Sequence, residues 1–360
     1  MAVETLQAEA LFQATDAQTL GFRSTAELPD VDSAMGQDRA IAAIEFGVGI
    51  QREGYNLFVA GPTGIGKRTL VDQLLARHAG ERGEASDWCY VNNFEDPSRP
   101  RALALPPGKG VQLKRDMEKL IERMLVTVPN VFRGDEYRRR ISDIQEEYQE
   151  REGKLFGDLN EEARGKGMVV IRTPGGYTIG PVREGKLMTP AQFNDMSKEE
   201  QDLAKAVIEE LNRKLKTIIE NIHDWQEEST DRVKAIDNEF IHDIIDPMMV
   251  ALKSRYQMYP AVLEFLGAAH QDMAENIWDF MPNEQQEGNT PLRKKVFAME
   301  HLRYHVNVLV DHDGASGVPV LYEDNPTLQN VIGRIEHSAQ MGTLVTNFSL
   351  IKPGALHRAN

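Results

Sequence analysis

Cysteine is almost missing from this chain. Cys89 stands alone among 360 residues, so no internal disulfide framework can form, and such usage fits a reducing cytoplasm. Long apolar runs are missing as well. No stretch approaches the roughly 20 consecutive apolar residues of a membrane helix. The opening "MAVETLQAEALFQATDAQTLGF" lacks the basic start and apolar run of a secretory signal. Positive charge is in deficit: 41 Lys and Arg face 56 Asp and Glu, a formal net charge of −15. That balance argues against a general nucleic-acid scaffold, because the phosphate backbone would repel it. Only a local basic patch stays open. With 41% hydrophobic and 27% charged residues, the expectation is a soluble, cytoplasmic protein of roughly two or three domains.

The patterning then changes twice along the chain. Residues 1–110 mix short apolar runs with Gly and Pro turns, as an α/β domain does. "YNLFVA" (55–60) reads as a buried strand and "GKRTLVDQLLARHA" (66–79) as the helix after it. "DWCYVNNF" (87–94) reads as a second strand, with Cys89 a small buried hydrophobe. "EDPSRPRALALPPGKG" (95–110) is loop-like, with "RALAL" as a short strand within it.

Residues 111–299 read as long, charged, amphipathic helices. One carries Tyr137, Ile141, Ile144, Tyr148, Leu155 and Leu159. Another opens on Ser197 with Glu200 three residues on, the spacing of a capping box. From there Leu211, Leu215, Ile218, Ile222, Trp225, Ser229, Ile236 and Phe240 keep one stripe facing a partner, and Pro247 is expected to end or kink that helix. Two such helices form an antiparallel coiled-coil hairpin most simply. Between them "MVVIRTPGGYTIGPVREGKLMTP" predicts a small β-hairpin near 168–188 with "TPGGY" as its turn. That tip is either a contact surface or a solvated decoration that orders the helices. A third helical stretch, 261–281, lines up Leu263, Leu266, Met273, Ile277 and Phe280. "NEQQEGNTPLRKK" (283–295) breaks the helices, and from 300 to 360 the α/β character returns with the strand-like "YHVNVLVDH" and the helical "NPTLQNVIGRIEHSAQ". The simplest account is one α/β domain with a helical insertion of about 190 residues.

The chemistry centres on "GPTGIGKRT". Gly61, Pro62, Thr63, Gly64, Ile65, Gly66 and Lys67 match the phosphate-loop pattern. Its glycines let consecutive amides turn onto phosphates, and its lysine neutralises their β and γ oxygens. A helix starting near Lys67 adds its positive end. The next residue departs from the pattern. Arg68 stands where Ser or Thr ordinarily holds magnesium, and Thr69 lies about 100° further round the helix, so it does not simply substitute. The expected cofactor is ATP or ADP, with Mg2+ left open.

Other constellations read as structural. His301 and His305 have the i, i+4 spacing of a metal pair, but no third ligand accompanies them. "DHDG" (311–314) carries too few oxygens for a calcium loop and reads as a turn. Glu323 and Asp324 read as a turn and helix cap.

The succession "GQDRAIAAIEFGVGI", "GYNLFVAGPTGIGKRT", a long helical insertion, "YEDNPT", "GRIEH" and "KPGALHRAN" resembles the Lon-related ATP-dependent proteases over nearly the whole chain. The resemblance implies an α/β P-loop (AAA+) domain, incomplete at its C-terminal end and interrupted by an all-α coiled-coil insertion carrying the β-hairpin. It sets Gly36 and Gln37 beside the adenine and His357 and Arg358 near the nucleotide side. In that family an acidic strand, a helical lid and a Ser–Lys peptidase domain follow the segment matching "KPGALHRAN". The expectation is therefore an N-terminal portion of a longer protein, with no catalytic or metal-binding residue within 1–360 and weak or no ATP turnover alone. The resemblance also implies polypeptide substrates and a homo-oligomeric, hexameric ring. A non-proteolytic remodelling or protein-binding module with a degenerate nucleotide site is the alternative.

Overall fold

The computed structural model describes residues 5–12, 14–28, 36–50, 52, 54–81, 85–173, 176–183, 186–282, 301–314, 317–340 and 343–359. The expected turn residues Pro174 and Gly175 and the expected helix break at 283–295 lie outside these. By contacts the chain divides into a first unit (1–85, 314–332 and 354–360) and a second (86–313 and 333–353).

In the first unit, α1 (Asp38–Gly49) packs on α2 (Lys67–Glu81) through Ile44, Leu70 and Leu74, with Ala40, Ile41, Val48 and Val71 at the margin. Residues 317–323 run along α2. The Val318 N–H donates to the Ala79 carbonyl at 3.1 Å, and Tyr322 lies against Arg68 near the opposite end of the helix. The expected strand at 55–60 is not formed. Tyr55, Leu57, Phe58 and Val59 are exposed, Phe58 by 94%, and no ladder includes them. An apolar run becomes a strand only when neighbours accept its ladder and cover its faces. Among the described residues this unit contains no strand.

The second unit holds most of the helix and every described sheet, and all of its pairings are antiparallel. β1 (Asp87–Val91) lies between β2 (Arg101–Leu105) and β6 (Val306–Val310). Its inward residues Asp87, Cys89 and Val91 alternate with half-buried Trp88 and Tyr90, the period expected of a strand with one face on a core. α3 (Lys109–Phe132) covers that face with a stripe the reading above did not single out: Leu113, Met117, Leu120, Ile121, Met124, Val128 and Phe132 are all buried.

α4 (Asp135–Gly165) and α6 (Lys198–Arg255) are joined through β3 (Met168–Thr173), β4 (Gly176–Arg183), β5 (Lys186–Leu187) and a short helix α5 (Pro190–Asn194). Partners climb α4 as they descend α6: Arg140 bonds Glu239, Glu147 bonds Arg232, and Lys166 bonds Glu210. The two helices are therefore antiparallel neighbours. Near the β-hairpin they share an apolar cluster of Leu159, Ala163, Met168, Ile179, Leu211 and Leu215, and Phe156 stacks on Tyr177 at 4.5 Å. The capping box forms as expected: the Ser197 hydroxyl accepts from the Glu200 N–H, and the Glu200 carboxylate accepts from the Ser197 N–H at 3.0 Å.

Two further expectations are corrected. Pro247 does not end α6, which runs on to Arg255. Proline deprives the Asp243 carbonyl of a donor, but Ile244, Ile245, Met249 and Leu252 around it are buried against the core, and that burial outweighs one missing bond. The stretch 325–340 is not one helix. Only Leu328–Ile332 is helical, and Arg334–Ile335 and Ser338–Gln340 are short strands. α7 (Pro260–Glu275) and the 3-10 turn Ile277–Phe280 after it complete the core, with Leu266, Met273, Ile277 and Phe280 buried as the spacing predicts and Leu263 partly buried.

Candidate functional site

The expected phosphate loop enters α2 at Lys67. Gly64 and Gly66 have φ of 86° and 79°, left-handed values that side chains with a Cβ rarely adopt. They turn the chain back on itself just before the helix. Lys67 curls over this turn, its Nζ donating to the Gly61 and Pro62 carbonyls at 2.7 and 2.6 Å. The cation is thus held against its own loop by oxygens that a stronger anion could replace.

Beside it is a cleft of about 350 Å³, lined by Gln37, Ala40 and Ile44 from α1, Val59 and Ala60 before the loop, and Ile65, Gly66, Lys67, Thr69, Leu70 and Gln73. Of the residues anticipated from the sequence, Gln37, Ile65, Gly66, Lys67 and Thr69 meet there. Gly36 adjoins Gln37 with φ 76°, and Gly61, Pro62, Thr63 and Gly64 form the loop beyond the cleft wall. Ala40, Ile44, Val59 and Gln73 had not been anticipated. For the three helical ones the signal was present as i, i+4 spacing, since Ala40 and Ile44 share a face of α1 as Thr69 and Gln73 share a face of α2. The mixture of aliphatic wall, amide groups and one lysine suits a flat, partly polar ring carrying an anionic tail.

Arg68 is not in the cleft wall. Its guanidinium carbon stands 3.5 Å from the centroid of the Tyr322 ring and its Nε 3.4 Å from Asp72 Oδ2. The side chain is 61% exposed. Adjacent, Glu323 turns its own segment by accepting from the Asn325 N–H, and its carboxylate faces Arg358 at 3.7 Å. Thr327, rather than Asp324, accepts from the first turn of the helix Leu328–Ile332. His357 Nδ1 accepts from the Gly354 N–H, which makes it a local cap.

The donors around the cleft do not fit magnesium. Among the described residues its lining offers the Thr69 hydroxyl and the Gln37 and Gln73 amides and no carboxylate, and the residue after Lys67 is a cation. Magnesium takes hard, ordinarily anionic oxygens in an octahedral set. Among the described residues no group of three His, Cys, Asp or Glu could hold a metal. His301 is a core residue: buried, and stacked on Phe280 at 4.6 Å and 7°. Burial, with Arg303 nearby, pushes its pKa down. Residues 311–314 form a turn in which Asp311 accepts from the Asp313 N–H. Cys89 is inert, its thiol pushed up to about 12, first by burial and then by Asp87 and Asp311. Among the described residues no helix is long and apolar enough to cross a membrane.

Two protein families match parts of the chain. Residues 87–120 match the Lon-like LonC helical domain, beginning at the first residue of β1 and ending within α3. Residues 316–360 match the LonB-like AAA domain, the segment that carries Tyr322, Glu323 and Arg358. No curated protein matches the chain. The two matches, one within the chain and one over its last 45 residues, together support a Lon-related AAA+ protein.

Proposed function

We propose that residues 1–360 form the ATP-binding and substrate-handling portion of a Lon-like ATP-dependent serine protease. Residues 1–110 and 300–360 contribute the AAA+ module and 111–299 its coiled-coil insertion. Peptide-bond hydrolysis belongs to a Ser–Lys pair outside these residues. The observation that carries the reading is Lys67 at the start of α2, folded over a glycine turn beside a cleft that Gln37 closes. The aliphatic wall of Ala40, Ile44 and Val59 takes the adenine ring. The first-turn amides of α2 and Lys67 take the phosphates, since a helix start offers unpaired N–H groups and the positive end of a dipole. The module works as a cytoplasmic homo-oligomeric ring, a hexamer, that moves polypeptide, and the arm of α4 and α6 meets substrate through its β-hairpin tip. The net charge of −15 disfavours nucleic acid as a partner.

Titrating N-methylanthraniloyl-ATP (mant-ATP) by fluorescence anisotropy tests the reading. Lys67→Ala is expected to weaken binding by about tenfold or more, the effect of losing a charge-assisted bond to phosphate. Undetectable binding by the unaltered chain would remove the nucleotide assignment. Arg68 supports a second reading, a remodelling or protein-binding module whose nucleotide site is degenerate. Equal affinity of the unaltered and Lys67→Ala chains favours that alternative.

A further inference from the structure

The position after Lys67 raises a chemical problem that the fold itself answers. A nucleoside triphosphate crowds negative charge onto its terminal phosphates, and a divalent cation ordinarily offsets it. Here, among the described residues, the cleft offers magnesium one hydroxyl and two amides, and the residue after Lys67 carries a guanidinium. A guanidinium is always charged and presents a planar fork of donors that matches two phosphate oxygens at once.

The place of Arg68 is informative. It lies in the first turn of α2, next in sequence to the lysine that bonds the loop carbonyls. Its head is parked outside the cleft on Tyr322 and Asp72, and both partners are themselves exposed, Tyr322 by 56%. Cation–π and ion-pair contacts at such exposed sites are weak and screened. A polyphosphate anion arriving at the helix start therefore competes easily for that head. Its long stem permits the swing without movement of α2.

We propose that this loop holds its nucleotide as the metal-free polyphosphate, with the Arg68 guanidinium released from Tyr322 and set against the terminal phosphates in place of a divalent cation. This rests on the nucleotide reading of the cleft and extends it to the ionic form of the ligand. Tyr322 is then a resting place for the arginine, and the 317–323 segment senses occupancy through it.

Mant-ATP affinity measured with excess EDTA and with excess magnesium tests this directly. The unaltered chain is expected to bind within about twofold in the two buffers, and Arg68→Ala to bind about tenfold more weakly in EDTA. Arg68→Thr restores the usual hydroxyl, and its binding is expected to be tighter in magnesium than in EDTA. Tyr322→Ala frees the arginine and binds at least as tightly as the unaltered chain. Circular dichroism checks that each exposed-site variant is folded. Binding by the unaltered chain that strengthens tenfold with magnesium overturns the proposal and leaves the nucleotide reading standing. So does an Arg68→Ala chain that binds in EDTA as well as the unaltered one, because Arg68 then only tethers 317–323. No binding in either buffer overturns the nucleotide reading and this proposal with it.

Discussion

Asp87 is fully buried at the start of β1, and its carboxylate accepts two backbone bonds, from the Gly110 N–H at 2.9 Å and the His312 N–H at 2.8 Å. The first comes from the opening turn of α3, where amides lack intrahelical partners and the helix dipole favours an anion. The second comes from the chain just after β6. One side chain thus joins three elements of the second unit. Asp87→Ala strands both amides away from water. At about 1.5–3 kcal/mol for each bond to a charged group, the loss is about 3–6 kcal/mol. For a unit of this size each kcal/mol moves the melting temperature by about 2–4 °C, so even the lower bounds give a fall of about 6 °C. Trp88, Trp225 and Trp278 all lie in the second unit, so tryptophan fluorescence follows its melting selectively. Asp87→Asn keeps one acceptor and is expected to melt between the two. Gly110→Ala tests the same seat from the helix side, because a Cβ there stands 2.8 Å from Cys89 Sγ and 3.1 Å from Asp87 Cβ. An Asp87→Ala chain that melts within about 1 °C of the unaltered protein would refute the reasoning, since two stranded amides cannot cost so little.

Two further outcomes are expected. His301 and His305 both have pKa values pushed below the ordinary 6.5, first of all by burial. The unfolded chain then takes up protons that the folded chain refuses, so stability is greatest above pH 6.5 and falls as pH drops through that value. Urea midpoints measured between pH 7.5 and 5.5, followed by tryptophan fluorescence, should show the fall. His301→Phe, which preserves the stack on Phe280, should make it shallower; an unchanged slope would remove His301 from the account. The thiol of Cys89, 1% exposed and with its pKa raised to about 12, should react with a disulfide reagent such as DTNB at pH 8 only at the rate of unfolding. Prompt labelling of the folded protein would show that β1 opens independently.

Helix positions were readable because their signals are local. The spacing of Leu211, Leu215 and Ile218, the pairing of Ser197 with Glu200, and the turn into α2 at Lys67 each span a few residues, and each recurs in the folded chain. The alternation in 87–91 and 306–310 was equally local, and both segments are strands. Partnership was not readable. "YNLFVA" is as apolar as any strand here, yet it lies unpaired, because pairing depends on what stands beside it and not on its own composition. Pro247 continues a helix because buried neighbours outweigh its missing N–H. Of the candidate site, the sequence by itself determined the turn, the lysine and the absence of a hydroxyl at 68. The tertiary structure alone decided that Ala40, Ile44 and Gln73 close the cleft, and that Arg68 rests on a tyrosine from far along the chain. Local rules set which elements form. Which distant side chains meet follows only from burial and closure of the whole unit.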